Sequence, residues 1–167
     1  MSEEVTSGPT LPEEKVLLTA EGLQKLKDEL HELRTTRRAE VARAIHEAQE
    51  LGMAQVDGQY EDAKNQQAFL EGRILEVERM LEMAEVIDEA AAHGSKDVRV
   101  GSTVTVRTKD NKRQTYQLVG PAEADPASGR ISHQSPVGRA LLGKKRGDTV
   151  TVQAPGGEVV LTVTTIK

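Results

Sequence analysis

The fold of this chain is decided by residues 18–51, which read LTAEGLQKLKDELHELRTTRRAEVARAIHEAQEL. Apolar side chains recur there at steps of three and four, which places one apolar stripe along a helix. The stripe consists of Leu23, Leu26, Leu30, Leu33, Val41, Ile45, Ala48 and Leu51. No proline interrupts the run. The pattern therefore predicts one helix from Thr19 to Leu51, about 50 Å long, with Thr19 as its N-cap.

A second stripe of the same period follows Gly52 and Gly58, and we expect it to end near His93-Gly94. Its members are Ala63, Leu70, Ile74, Val77, Leu81 and Ala84. Two helices that each carry one narrow stripe bury it best against each other, and a short connection favours antiparallel pairing. The sequence thus predicts an antiparallel α-helical coiled-coil hairpin over residues 18–93, with its tip around Gly52–Tyr60.

From Asp97 onward the apolar period changes to two, which indicates strands. The alternating segments are Val98–Val106, Tyr116–Val119, Thr149–Val152 and Val159–Ile166. A short helix is predicted from Pro136 to Leu142, with Gly143 after it. Residues 94–167 are therefore predicted to form a small β-rich domain, and residues 1–17 a disordered leader. The fold class is α+β.

Composition excludes several classes of protein. Aromatic residues make up only 2% of the chain, which favours a thin architecture over one thick core. Cysteine is absent, so disulfides and thiolate metal sites are excluded. No apolar run has the length of a membrane span, and no signal peptide is visible, so we expect a cytoplasmic protein.

The net charge of −5 is unevenly distributed. Residues 1–94 hold 10 basic and 21 acidic side chains, whereas residues 95–167 hold 12 and 6. Electrostatic potentials of opposite sign on the two parts suit a protein that contacts a charged partner in two places. The alternative is that the surface charges have no functional meaning.

No catalytic or nucleotide-binding motif is present, and the four histidines are scattered. Arg34, Arg37 and Arg38 share one side of the first helix. They could follow a nucleic-acid backbone, or pair with glutamates of the opposing helix. The basic segment 143–148 could likewise meet phosphate or an acidic protein, or be an ordinary charged turn. Met53 and Val56 are apolar at a tip that should face water, so they either touch a partner or fold back.

Three stretches carry a resemblance to a known family. The first is LTAEGL at 18–23 with LKDEL at 26–30, the second is YEDAKNQQAFLEGRI at 60–74, and the third is ISHQSPVGRALLG at 131–143. Together they resemble the Gre family of bacterial transcript-cleavage factors, and the likeness covers Leu18 to Ile166.

The resemblance implies a coiled-coil hairpin joined to a C-terminal domain of FKBP-like fold. It implies a monomeric protein whose C-terminal domain docks at the rim of the secondary channel of bacterial RNA polymerase. The hairpin then enters the channel, where acidic tip residues help hold a catalytic Mg²⁺ and a water. The polymerase's own site cleaves backtracked nascent RNA, so the factor modulates an enzyme and needs no cofactor of its own.

Two sets of site residues follow from the resemblance. Docking on the polymerase is expected of the third motif, and contact with RNA in the channel is expected of Arg37 and Arg38. The docking residues are Ser135, Pro136, Arg139, Leu141, Leu142 and Gly143.

The tip departs from the family pattern, which reads Gly-Asp-Leu-x-Glu-Asn-Ala-Glu-Tyr. Aligned without a gap over Gly52–Tyr60, the family's Asp falls on Met53 and its first Glu on Val56. Its later Glu falls on Gln59. Met and Val cannot coordinate a hard cation, which needs oxygen ligands.

The remaining carboxylates near the tip are Asp57, Glu61 and Asp62. Asp57 stands where the family has Asn and is a weak candidate for a metal ligand. Three functions stay open: a cleavage-assisting elongation factor, a channel-occupying inhibitor that competes with such factors, and a coiled-coil adaptor for another partner.

Overall fold

The computed structural model describes residues 14–50 and 56–167. Its first half contains a two-armed helical hairpin. One arm runs through α1 (Ala20–Glu32), a π-helical turn (Leu33–Arg37) and α2 (Arg38–Glu50). The other arm is the single helix α3 (Val56–Glu82), whose 27 residues give a length of about 40 Å.

The first arm begins where the sequence predicts. Thr19 is the N-cap of α1, and its hydroxyl oxygen accepts a hydrogen bond from the backbone N–H of Gly22 at 3.0 Å. The predicted uninterrupted α-helix is wrong, because the π-helical turn divides it.

The spacing of the apolar stripe explains the π-helical turn. Leu33 and Val41 both contact the hairpin core, yet they are eight residues apart. At about 100° per residue, eight α-helical residues would carry Val41 about 80° beyond two full turns. A π turn absorbs one residue and returns Val41 to the face of Leu33.

The two arms are antiparallel, since Arg34 pairs with Glu78, whereas Arg38, further along the first arm, pairs with Glu71, which comes earlier in the second arm. Their apolar stripes meet in a narrow seam, as the sequence predicts. Its buried members are Val41, Leu70 and Ile74, with Leu30, Leu33 and Ile45 packed around them.

The second arm differs from the prediction at both ends. Gly58 does not break the pattern, because it lies inside α3. The helix ends at Glu82 rather than near His93, and the chain continues into strand β2 (Ala84–Val86) and the short helix α4 (Glu89–His93).

Strand β2 pairs in parallel with strand β1 (Val16–Leu18), which immediately precedes α1. Leu18 is fully buried, and the backbone N–H of Ile87 donates to its carbonyl oxygen at 2.8 Å. This two-stranded sheet closes the base of the hairpin. Residues 1–17 were predicted to be a disordered leader, and Ala84 was predicted to lie in the second helix. Val16 and Leu17 instead lie in β1 and Ala84 in β2, while residues 1–13 lie outside the described residues.

The C-terminal domain is a five-stranded mixed sheet beside one short helix. Its strands are β3 (Thr103–Thr108), β4 (Arg113–Val119), β5 (Arg130–Ser132), β6 (Thr149–Ala154) and β7 (Gly157–Ile166). Their spatial order is β5-β4-β3-β7-β6, with only the β4–β5 pair parallel. The α+β class predicted from the sequence is confirmed.

Alternating valines and leucines of these strands form the domain core, together with Leu141 of helix α5 (Pro136–Leu141). Val98 is buried in that core but precedes the first strand, so the predicted strand begins too early. Among the described residues, no helix combines the length and the apolar character needed to cross a membrane.

Candidate functional site

The tip end of the hairpin is described from the first turn of α3 onward. Met53 lies outside the described residues, and Val56 and Asp57 begin α3. Gln59, Glu61 and Asp62 are exposed on this helix, and Tyr60 is half-buried.

Of the three carboxylates predicted near the tip, the structure describes the side chains of Glu61 and Asp62. Glu61 and Asp62 are consecutive helical residues, so their side chains leave the helix about 100° apart. Within residues 14–50 and 56–167, no group of three or more potential ligands is arranged to hold a metal ion.

Ion pairs connect the outer faces of the two arms. Arg38 binds Glu71 with both ends of its guanidinium group, at 2.8 and 2.7 Å. Arg73 reaches back to Glu29 in the same two-pronged way, at 2.7 and 3.0 Å. Planar guanidinium and carboxylate groups match in this geometry, which fixes the register of the arms more than a single contact would.

These pairs shift the titration of their members. The hydrogen bond from Arg38 lowers the pKa of Glu71 and in turn raises the pKa of Arg38. Hydrogen bonds to Glu29 and Glu76 raise the pKa of Arg73. All three groups are therefore charged at neutral pH, and their exposure to solvent keeps each pair a modest contributor to stability.

The two arginines proposed for RNA contact are both engaged within the hairpin. Arg38 pairs with Glu71 on the opposing arm, which was the alternative weighed for this basic cluster, and Arg37 pairs with Glu40 at 2.6 Å on its own arm. Both side chains are about half exposed, at 45% and 55%. Contact of either residue with RNA remains a prediction, and it would have to compete with these pairs.

The predicted docking motif folds as a strand, a turn and helix α5. Ser135 caps the helix: its hydroxyl accepts from the N–H of Gly138 at 3.1 Å and donates to the carbonyl of Ser132 at 2.7 Å. Gly138 is buried so closely against Ser132 that a Cβ atom there would overlap the Ser132 carbonyl oxygen. The helix is thus held rigidly at one end of the sheet.

Only part of this motif faces solvent. Pro136, Arg139 and Gly143 are exposed, and Leu142 is half-buried. Leu141 is fully buried in the domain core, so it holds α5 in place rather than meeting a partner directly. The exposed face of α5 is accordingly small and centred on Arg139.

The basic turn that follows α5 extends this exposed surface. Lys144, Lys145 and Arg146 are all exposed. Asp148 closes the turn by accepting a hydrogen bond from the backbone N–H of Lys145 at 2.8 Å. The cationic side chains therefore project from a well-defined turn, beside Arg139 in the chain.

A junction between the hairpin and the β domain was missed by the sequence analysis. Its centre is Glu123, in the short 3₁₀ turn Pro121–Glu123 after β4, whose carboxylate binds Thr19 at the start of α1. These two residues are 104 positions apart in the chain. Thr19 was recognisable as an N-cap, but no local pattern marks Glu123 as its partner.

Comparison with known proteins places these features in a family. The family model for the N-terminal part of transcription elongation factors matches residues 16–86, and the model for the C-terminal part of GreA/GreB transcription elongation factors matches residues 93–167. Between them they cover the hairpin, the β domain and both ends of the junction.

Two relatives share almost half of their aligned residues with this chain. The transcription elongation factor GreA of Chloroflexus aggregans is 46% identical over 94% of this chain and 100% of its own length. That of Alkalilimnicola ehrlichii is 49% identical over 86% of this chain and 92% of its own. Among solved structures, GreA factor homolog 1 of Thermus thermophilus is 32% identical over 92% of this chain and 99% of its own, with a TM-score of 0.42.

Proposed function

The chain belongs to the GreA/GreB family of transcription elongation factors, and from this premise we propose that it binds bacterial RNA polymerase at the secondary channel. In this proposal the β domain docks at the channel rim. The hairpin then extends through the channel and carries residues 52–60 towards the active site, where the protein alters elongation without being an enzyme itself.

The observation that carries this proposal is the shape of the hairpin. Its apolar stripes are buried in the narrow seam between the arms, and apart from the exposed Phe69 and Leu75 the outer surface of α3 is mainly polar along about 40 Å of helix. Because the seam already buries the apolar stripes of both arms, the hairpin needs no further layer of protein to cover them. Such an arm suits entry into a water-filled passage lined by another protein.

The exposed face of α5 suits the docking role. It is rigid, because Ser135 caps the helix and Gly138 packs on Ser132, and it presents Arg139 beside the basic turn 144–146. This end of the protein complements an acidic partner surface, and cationic side chains there would also speed the encounter.

Docking can be tested by measuring the affinity of the full-length protein for the cognate polymerase. Arg139→Glu reverses the exposed charge on α5, and we expect at least a tenfold loss of affinity. Arg113→Glu is the matched control, because Arg113 is also exposed but lies on β4. Equal affinities for both variants would contradict docking through α5.

The tip sequence favours a second statement about function, namely that the protein occupies the channel without the family's usual stimulation of cleavage. Met53 and Val56 stand where the family has carboxylates, and neither can bind Mg²⁺. Arrival of such a tip near the active site would hinder substrate entry and exclude cleavage-competent factors.

The sign of the effect can be tested on backtracked elongation complexes. We expect little RNA cleavage with the natural tip, and slower elongation as the protein concentration rises. The double variant Met53→Asp with Val56→Glu restores the family's acids, and it should increase cleavage at least tenfold. Strong cleavage by the natural tip would refute the inhibitory role, whereas no binding to polymerase at all would leave only a coiled-coil adaptor.

A further inference from the structure

A buried carboxylate of the β domain holds the first residue of the hairpin. Glu123 accepts hydrogen bonds from the backbone N–H of Thr19 at 2.6 Å and from the hydroxyl of Thr19 at 2.6 Å. Arg130 donates to the same carboxylate at 2.7 Å. The Glu123 side chain is only 7% exposed and Thr19 only 2% exposed. Hydrogen bonds to a charged group that is buried in a region of low dielectric constant are stronger than those at the protein surface.

The position of this carboxylate ties it to the direction of α1. Thr19 is the N-cap of that helix, where the unpaired N–H groups and the positive end of the helix dipole favour a negative charge. The hydroxyl of Thr19 accepts from Gly22 while it donates to Glu123. The start of the hairpin is therefore capped from a different domain, so the helix axis and the β domain are coupled.

Two glycines, one on each side, allow the domains to approach this closely. A Cβ atom on Gly22 of α1 would overlap the carboxylate of Glu123. A Cβ atom on Gly120 of the β domain would overlap the carbonyl oxygen of Leu17 in β1. Both neighbours are fixed, the first by three hydrogen bonds and the second because it is backbone.

Arg130, in β5 of the same domain, holds the carboxylate of Glu123 in place. Arg130 is 22% exposed, and its Nε atom is buried without a hydrogen-bond partner among the described residues. Glu123 is thus the group that neutralises a largely buried guanidinium. Removing the carboxylate would leave that charge uncompensated, which usually costs more than the pair contributes when intact.

We propose that Glu123 is a positioning residue, whose carboxylate fixes the direction in which the hairpin leaves the β domain. This inference rests on the proposed function, because the direction matters only if the hairpin must enter a channel while the β domain stays at its rim. With the junction intact the tip arrives in one orientation. With the junction open, the hairpin samples many orientations and productive entry becomes rare.

The direction of the hairpin can be measured in the free full-length protein. The chain contains no cysteine, so Asn65→Cys in α3 and Thr151→Cys in β6 provide two unique and exposed sites for spin labels. Pulsed electron paramagnetic resonance then gives the distribution of distances between hairpin and β domain. We expect one narrow distribution for the parent protein.

Two variants should open the junction by independent routes. Glu123→Ala removes the carboxylate, and Gly22→Ala keeps every hydrogen-bonding group but pushes the carboxylate away. We expect each to broaden the distance distribution at least twofold. Gly72→Ala is the matched control for the second variant, because Gly72 also lies in an arm helix but has open space around its Cβ position. It should leave the distribution unchanged.

The helix content and thermal stability of each variant show whether Glu123 positions the hairpin or only helps the protein to fold. Alanine favours a helix over glycine, so Gly22→Ala should keep or raise the helix content while it broadens the distribution. Narrow, unshifted distributions for both Glu123→Ala and Gly22→Ala would overturn the proposal. If Glu123→Ala loses helix content and does not fold, Gly22→Ala alone decides.

Affinity for polymerase and the effect on elongation, measured separately, distinguish the positioning role of Glu123 from the proposed function. We expect the two junction variants to bind polymerase within about twofold of the parent, since the α5 face is untouched, but to lose at least fivefold in their effect on elongation. Full effect from a variant with a broadened distribution would overturn the positioning role. Failure of the parent protein to bind polymerase would refute the proposed function and leave the distance measurement standing.

Discussion

The seam of the hairpin offers a sharp test, because α3 carries two leucines in opposite environments. Leu70 is 8% exposed and packs with Val41 and Ile74, whereas Leu75 is 65% exposed. Both lie in the same helix, so the substitutions Leu70→Ala and Leu75→Ala change helix propensity equally. Any difference between them reports burial in the seam.

The expected magnitude follows from the atoms removed. Leu→Ala deletes three carbon atoms, each worth about 0.8 kcal/mol when fully buried, so Leu70→Ala loses about 2.4 kcal/mol before any cavity forms. Well-packed cores lose about 2–5 kcal/mol for such changes. The seam is thin and its arms can close on a cavity, so we expect about 2.5 kcal/mol. Leu75→Ala should cost less than about 1 kcal/mol, since most of its side chain already meets water.

Urea unfolding followed by far-ultraviolet circular dichroism measures this difference, because most of the helix of the protein is in the two arms. The slope of the free energy against urea should be the same for both variants and the parent protein. Equal losses from Leu70→Ala and Leu75→Ala would refute the reasoning. They would mean that the arms are not held together through this face in solution.

Three further outcomes are expected. Gly138→Ala should destabilise the β domain by about 1–3 kcal/mol in thermal unfolding and weaken polymerase binding, because the new methyl group overlaps the Ser132 carbonyl. The hydrogen bond from Arg38 lowers the pKa of Glu71 in the folded protein. The ionised carboxylate therefore stabilises the fold above the unfolded pKa of about 4.3, and this stabilisation is lost as the pH falls through the lower folded pKa. Glu71→Gln should make the loss of unfolding free energy on acidification shallower. Deleting Thr35 from the π turn restores a seven-residue spacing in the first arm, so urea unfolding should show stability within about 1 kcal/mol of the parent and no loss of helix per residue.

Local patterns in the sequence were sufficient for the main elements. Apolar steps of three and four predicted both arms, and the N-cap at Thr19 is where the structure places it. The change to a period of two predicted the β domain, and Pro136 marked the start of α5. These features depend on neighbours along the chain, so a window of residues contains the information that determines them.

The interruptions were harder to predict. The π turn at Leu33–Arg37 had a signal, the eight-residue step from Leu33 to Val41, but a long helix tolerates such a step until it must pack against a fixed partner. Similarly, Gly58 is an ordinary helix breaker by propensity, yet it lies within α3. Gly58 is the third residue of α3, and glycine costs a helix less in its first turn than in its interior.

The sequence by itself determined what this protein is built from: two arms with one seam, a β domain with one short helix, and a tip with Met53 and Val56 where the resemblance predicts acids. Only the tertiary structure decided how the two parts are joined. Glu123 caps Thr19 across 104 residues of chain, and Gly22 makes room for it. The physical reason is that periodicity arises between neighbouring residues, whereas a hydrogen bond between domains exists only after both domains have folded and met.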